Sequence, residues 1–128
     1  SVRTMKIATI VVRVLLGLLY VAASVVVLFN LAPQPELSGA PKEFMEGMNA
    51  TGYMLKLIKI TELICGASLV SGFYVPLALI VIAPVSLNIF LYHAFVVPEG
   101  LPVAIFVLLA TAFLGFAYRD RYAELFRP

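Results

Sequence analysis

Four apolar stretches, each long enough to cross a bilayer, leave this 128-residue chain few ways to fold. A spanning helix takes about 20 mostly apolar residues, at ~1.5 Å of rise each, to cover ~30 Å of hydrocarbon. The candidates run from about Ile7 to Leu31, Thr51 to Ser71, Val75 to Val97 and Leu101 to Tyr118. Hydrophobic residues make up 62% of the chain and charged residues 12%. Soluble domains hold roughly 45–50% and about 25%. A domain this small has too little interior to hide the surplus, so it must face lipid. That excludes a soluble enzyme, a disordered tail and a nucleic-acid module. The expected fold is all-α: one integral membrane four-helix bundle over residues 1–128, with residues 32–50 as its only substantial loop.

The punctuation agrees with this division. Pro33 and Pro35 end the first span, because proline brings no amide hydrogen to continue a helix. Ser71 to Pro76 reads as a tight turn, as does Val97 to Pro102, and Pro76 and Pro102 suit first helical turns. Pro84 falls inside the third span, where a kink is expected. The first apolar run, at about 25 residues, exceeds the ~7–15 of a signal-peptide core, so it reads as a retained helix. Met5-Lys6 resembles a natural start, which would make residues 1–4 an addition.

Basic residues set the expected orientation. Arg3, Lys6, Arg119, Arg121 and Arg127 flank the termini, while residues 32–50 carry Lys42 beside Glu36, Glu43 and Glu46. Basic flanks stay inside. Both termini are therefore expected to be cytoplasmic, with residues 32–50 and Glu99 on the outer side. No GxxxG occurs in any span. Ala67/Ser71, Ser68/Gly72 and Thr111/Gly115 are small-xxx-small pairs that allow close helix approach, within one chain or between two copies in a homodimer.

Ionisable groups inside spans are costly, at about 2.5–3.5 kcal/mol on insertion scales, so each needs a reason. Arg13 lies about two turns into span one, where its stem can reach the headgroups, either to snorkel or to hold a lipid or quinone headgroup. Lys59 and Glu62, three apart, share a face of span two. Counted from Thr51, Glu62 lies about 16 Å deep. Span three returns outward and places Asn88 about 14 Å and His93 about 6 Å deep in the same half. The expected arrangement is a polar cluster of Lys59, Glu62 and Asn88, with Tyr92 or His93 at its rim. It serves either as a clamp that fixes helix register or as a ligand or proton site.

Other chemistries find little support. One histidine rules out bis-histidine haem within the chain. Zinc or copper would need more ligands, so no metal site is expected. Cys65 is unpaired and apolar-flanked, which suits packing. No Ser/His/Asp arrangement or Gly-rich phosphate loop is present.

Several segments together resemble the DoxX family of small bacterial membrane proteins. They are Arg13-Val14-Leu15-Leu16-Gly17-Leu18, Ala50-Thr51-Gly52-Tyr53, Ile60-Thr61-Glu62, Gly72-Phe73-Tyr74-Val75-Pro76-Leu77-Ala78, Ala83-Pro84-Val85-Ser86-Leu87-Asn88-Ile89, Leu91-Tyr92-His93-Ala94-Phe95 and Ala117-Tyr118-Arg119-Asp120-Arg121-Tyr122. The likeness covers nearly the whole chain, although Ala23 to Asn30 lacks the lysine that members often place late in span one. It implies a four-helix membrane bundle in the bacterial inner membrane. Family members are similar to small subunits of an archaeal thiosulfate:quinone oxidoreductase. Some members associate with membrane oxidoreductases, and distant animal relatives act as assembly chaperones.

The first functional expectation is an accessory or quinone-associated subunit of a membrane redox system. It would have no intrinsic cofactor, quinone as candidate ligand, and a membrane or peripheral oxidoreductase subunit as candidate partner. Carboxylate, amide and phenol groups can hydrogen-bond quinone oxygens and move protons. The alternative is a non-catalytic membrane interaction or assembly protein. A small proton-coupled carrier, suggested by the Lys59/Glu62 pair alone, is a third reading.

Overall fold

Glycine, proline and a hydroxyl cap set the ends of the helices. The structure is a computed structural model describing residues Ser1–Pro128, which form helices and turns without strands. Helix α1 runs Val2–Leu28, α2 Ala40–Ala50, α3 Met54–Ser71, α4 Val75–Phe95 and α5 Leu101–Ala117. Short 3-10 segments follow α4 at Pro98–Gly100 and α5 at Arg119–Phe126. The Ser1 hydroxyl accepts the Thr4 amide at 3.2 Å, so α1 starts five residues before Ile7, the expected boundary. Gly72 ends α3 in the left-handed conformation, φ 85°, which few other residues adopt without strain. Helix α4 continues through Pro84 to Phe95.

Residues 32–50 depart from expectation, because they are not all loop. Residues 40–50 form α2, with Pro41 in its first turn and Glu43 beside the positive end of the helix dipole. Phe44, Met45 and Met48 recur at helical spacing, and α2 rests on α3. The prolines and glycines around this segment read as loop signals and obscured an 11-residue helix.

The helices Val2–Leu28, Val75–Phe95 and Pro98–Ala117 are long and apolar enough to cross a membrane by length and composition. Helix α3 is 18 residues long but carries Lys56, Lys59 and Glu62, so its apolar content falls short of the other three.

Packing joins α1 to α3, α3 to α4, α4 to α5 and α5 back to α1, with the α1–α3 contact the most extensive. Leu16, Leu69, Ile82 and Leu114, one from each helix, are fully buried at the centre. The outer faces are also apolar: Leu15, Ile64, Leu77 and Leu109 are each half exposed or more. Apolar residues both inside and outside mark a protein solvated by hydrocarbon.

A hydroxyl chain stitches three helices together inside this core. Ser86 Oγ of α4 lies 2.6 Å from Tyr20 Oη of α1 and 2.8 Å from Thr111 Oγ1 of α5. The Ser24 hydroxyl donates to the Tyr20 carbonyl at 2.6 Å. Each buried hydroxyl thereby finds a partner, as an apolar surround requires.

Candidate functional site

Helix α3 carries the charges, and its register decides where they go. Gly66 sits against α1, and Glu62, one turn earlier on the same stripe, is buried at 3% exposure. Lys59, three residues before it, is half-buried and turns toward a cavity under α2. Lys59 Nζ lies 3.4 Å from Glu62 Oε1. The pair therefore spans from the packed interior to the cavity wall. Glu62 is the buried counter-charge, and Lys59 is the end a ligand can reach.

The cavity measures about 220 Å³ and lies between α3, α4 and α2. Lys59, Asn88, Tyr92 and His93 all line it. Four of the five residues expected to cluster therefore do share one wall. Glu62 is not part of the lining but lies behind Lys59. Within the expected cluster, Glu62 bonds to Lys59 and not to Asn88. Asn88 is exposed, and its amide forms no hydrogen bond within the chain.

Tyr92 and His93 have distinct neighbours. The Tyr92 ring lies 5.0 Å from that of Phe44 on α2, tilted by 42°, which ties α2 over the cavity. The His93 ring meets the Tyr92 ring edge-on at 5.2 Å. Its Nδ1 donates to the Val97 carbonyl at 3.0 Å, since a carbonyl oxygen can only accept. A Cβ at Gly100 would collide with the same ring, so His93 also anchors the turn between α4 and α5.

Sequence reasoning missed the roof of this cavity. Phe44, Met45 and Met48 of α2 and Gln34 before it complete the lining. The helical spacing of the three apolar residues was the available signal. Their enclosure makes the cavity mostly apolar with a few polar groups converging on it, the usual character of a small-molecule site.

Arg13 lies apart from this cavity. It is half-buried, and its Nη1 donates to Tyr118 Oη at 3.4 Å. A Cβ at Gly72 would sit 3.3 Å from Arg13 Nη2, so the guanidinium packs on the α3–α4 turn. Its buried Nε has no partner. Arg13 thereby links α1, that turn and the end of α5. Cys65 is buried in the core, among the packing residues.

In comparisons with known proteins, the family model described as DoxX matches residues 8–97, from the first turns of α1 to the end of α4. No curated protein and no solved structure matches the chain.

Proposed function

The chain belongs to the DoxX family of membrane proteins, and we propose that it is a quinone-associated accessory subunit of a membrane redox system. The observation that carries this reading is the α2-roofed cavity, where Lys59 and Asn88 lie beside Tyr92, Phe44 and Met48. An ammonium and an amide can donate to the oxygens of a quinone ring, while aromatic and thioether groups contact its faces. The buried carboxylate of Glu62 holds Lys59 in place at 3.4 Å. A bound quinone supplies two-electron, two-proton chemistry. The chain's own residues bind the ring, orient it and keep bulk water away under α2. Electrons come from a partner oxidoreductase subunit, with the chain as its membrane site.

The same reading makes the molecule a bundle of four spans in the bacterial inner membrane. Helix α3, at about 27 Å, is long enough to serve as the remaining span. Lys56 is exposed near its outer end and can snorkel, and the Lys59–Glu62 pair neutralises the deeper charges. The basic residues near both termini support a cytoplasmic location for each, with α2 on the outer side.

Titrating a short-chain ubiquinone into the detergent-purified protein tests the site. Saturable binding is expected, weakened about tenfold by Asn88→Ala or Lys59→Met, the loss of one ligand hydrogen bond to a charged or polar group. Binding that is absent, or that neither variant weakens, would remove the quinone reading.

A further inference from the structure

The end of the molecule that carries both termini holds a pair of concavities, and one side chain borders both. A groove of about 550 Å³ runs along α4 and α5 between Leu79, Leu87, Leu108 and Ala112. A pocket of about 610 Å³ opens between the start of α1 and the end of α5, lined by Lys6, Thr9 and Tyr118. Arg119 lines each of them, and neither lining contains an acidic residue.

The guanidinium of Arg119 is held in place with most of its donors free. It lies 4.2 Å above the Phe116 ring, and Nη1 donates to the Phe116 carbonyl at 2.9 Å. A guanidinium carries five N–H donors in a fork that suits phosphate oxygens. The following 3-10 segment is fastened across the groove, because Tyr122 Oη donates to the Pro76 carbonyl at 2.8 Å. Leu125 and Phe126 of that segment also line the groove. Neither carboxylate of that segment is paired with Arg119: Glu124 pairs with Arg127 at 3.2 Å, and the exposed Asp120 forms no salt bridge.

An apolar channel that ends at a pre-set cation, next to a second cation in an open pocket, matches one ligand chemistry. We propose that this end of the molecule binds an anionic phospholipid. Its phosphate sits on Arg119, its headgroup enters the Lys6 pocket, and an acyl chain lies in the α4–α5 groove. Basic pockets between membrane helices recognise anionic headgroups in this way. The charge complementarity and the continuity of the two concavities through Arg119 select a phospholipid over a free anion or a neutral lipid. This site is separate from the α2-roofed cavity and does not depend on what that cavity binds.

The test is lipid retention by the full-length protein. Purified protein is delipidated in detergent and given phosphatidylglycerol or phosphatidylcholine of identical acyl chains. Retained lipid per protein is then measured after washing. Phosphatidylglycerol should be retained in preference, and Arg119→Gln should cut its retention about fivefold, the effect of one interfacial charge. Arg119→Lys should restore part of it. Ala112→Phe, which fills the groove at an exposed position, should lower retention of both lipids. Equal retention of the two lipids, or an unchanged Arg119→Gln variant, would overturn the proposal. Complete displacement of phosphatidylglycerol by millimolar inorganic phosphate would also overturn it, in favour of a simple anion site.

Discussion

Gly17 and Gly66 meet backbone to backbone where α1 crosses α3. A Cβ on Gly17 would lie 2.8 Å from the Gly66 carbonyl oxygen, and one on Gly66 would lie 2.9 Å from the Gly17 carbonyl oxygen. Both distances are shorter than real Cβ contacts, so a methyl group at either position must push the helices apart. Close approach of this kind is the main source of cohesion between helices in lipid, where no hydrophobic force draws them together.

Gly66→Ala and Gly17→Ala should therefore each destabilise the protein by about 1–3 kcal/mol, the usual cost of overpacking. Gly47→Ala on α2, where a Cβ meets open space, should be neutral or stabilise slightly. Thermal unfolding in one detergent compares the three. An unaffected Gly66→Ala variant would show that the α1–α3 crossing is looser than described.

The buried hydroxyl chain should behave as a unit. Tyr20→Phe and Ser86→Ala each leave a neighbour with an unmet hydrogen bond, and each should cost about 0.5–2 kcal/mol. The double variant should cost less than the sum, because the second change removes the group that the first left unsatisfied. Additive losses would indicate that the two hydroxyls act independently.

Removing one member of the Lys59–Glu62 pair should do more harm than removing both. Lys59→Met leaves the Glu62 carboxylate buried without a counter-charge, a loss of about 3–5 kcal/mol. Lys59→Met combined with Glu62→Leu should recover much of the stability. Ligand binding should not return with it, since the ammonium is gone. Unfolding and quinone titration on the same variants separate the clamp from the ligand role.

Much of this was legible in the sequence, and most of what was not depends on how the helices pack against one another. Hydropathy marked the long helices because lipid-facing and core-facing surfaces are both apolar, so composition alone identifies them. Gly72, Pro76 and Pro102 marked turns because backbone geometry acts locally. The gathering of Lys59, Asn88, Tyr92 and His93 followed from depth along two antiparallel helices. What depth could not give was rotation about the helix axis, which turned Glu62 inward and left Asn88 exposed. The neighbours of Arg13, Gly72 and Tyr118, could not be read from the sequence because they are distant in the chain. The Gly17–Gly66 crossing was hidden for the same reason: each glycine is alone in its helix, and only the partner helix gives it meaning. Helix α2 was masked by its own prolines and glycines, although Phe44, Met45 and Met48 kept helical spacing.

The α2 roof offers another test. The Phe44–Tyr92 contact at 5.0 Å is its main aromatic tie to α4. Phe44→Ala should cost little stability, about 0.5–1.5 kcal/mol, because Phe44 is 41% exposed. It should, however, speed quinone dissociation by opening the cavity. A dissociation rate equal to that of the unaltered protein would place the ligand elsewhere.

Native mass spectrometry of the protein, released gently from the membranes that made it, bears most directly on the quinone site. A quinone-mass adduct should appear, and it should be lost or strongly reduced in the Asn88→Ala protein while the folded charge-state distribution persists. A protein that carries no quinone, but is recovered with a stoichiometric protein partner, would replace the redox-site reading with one of assembly.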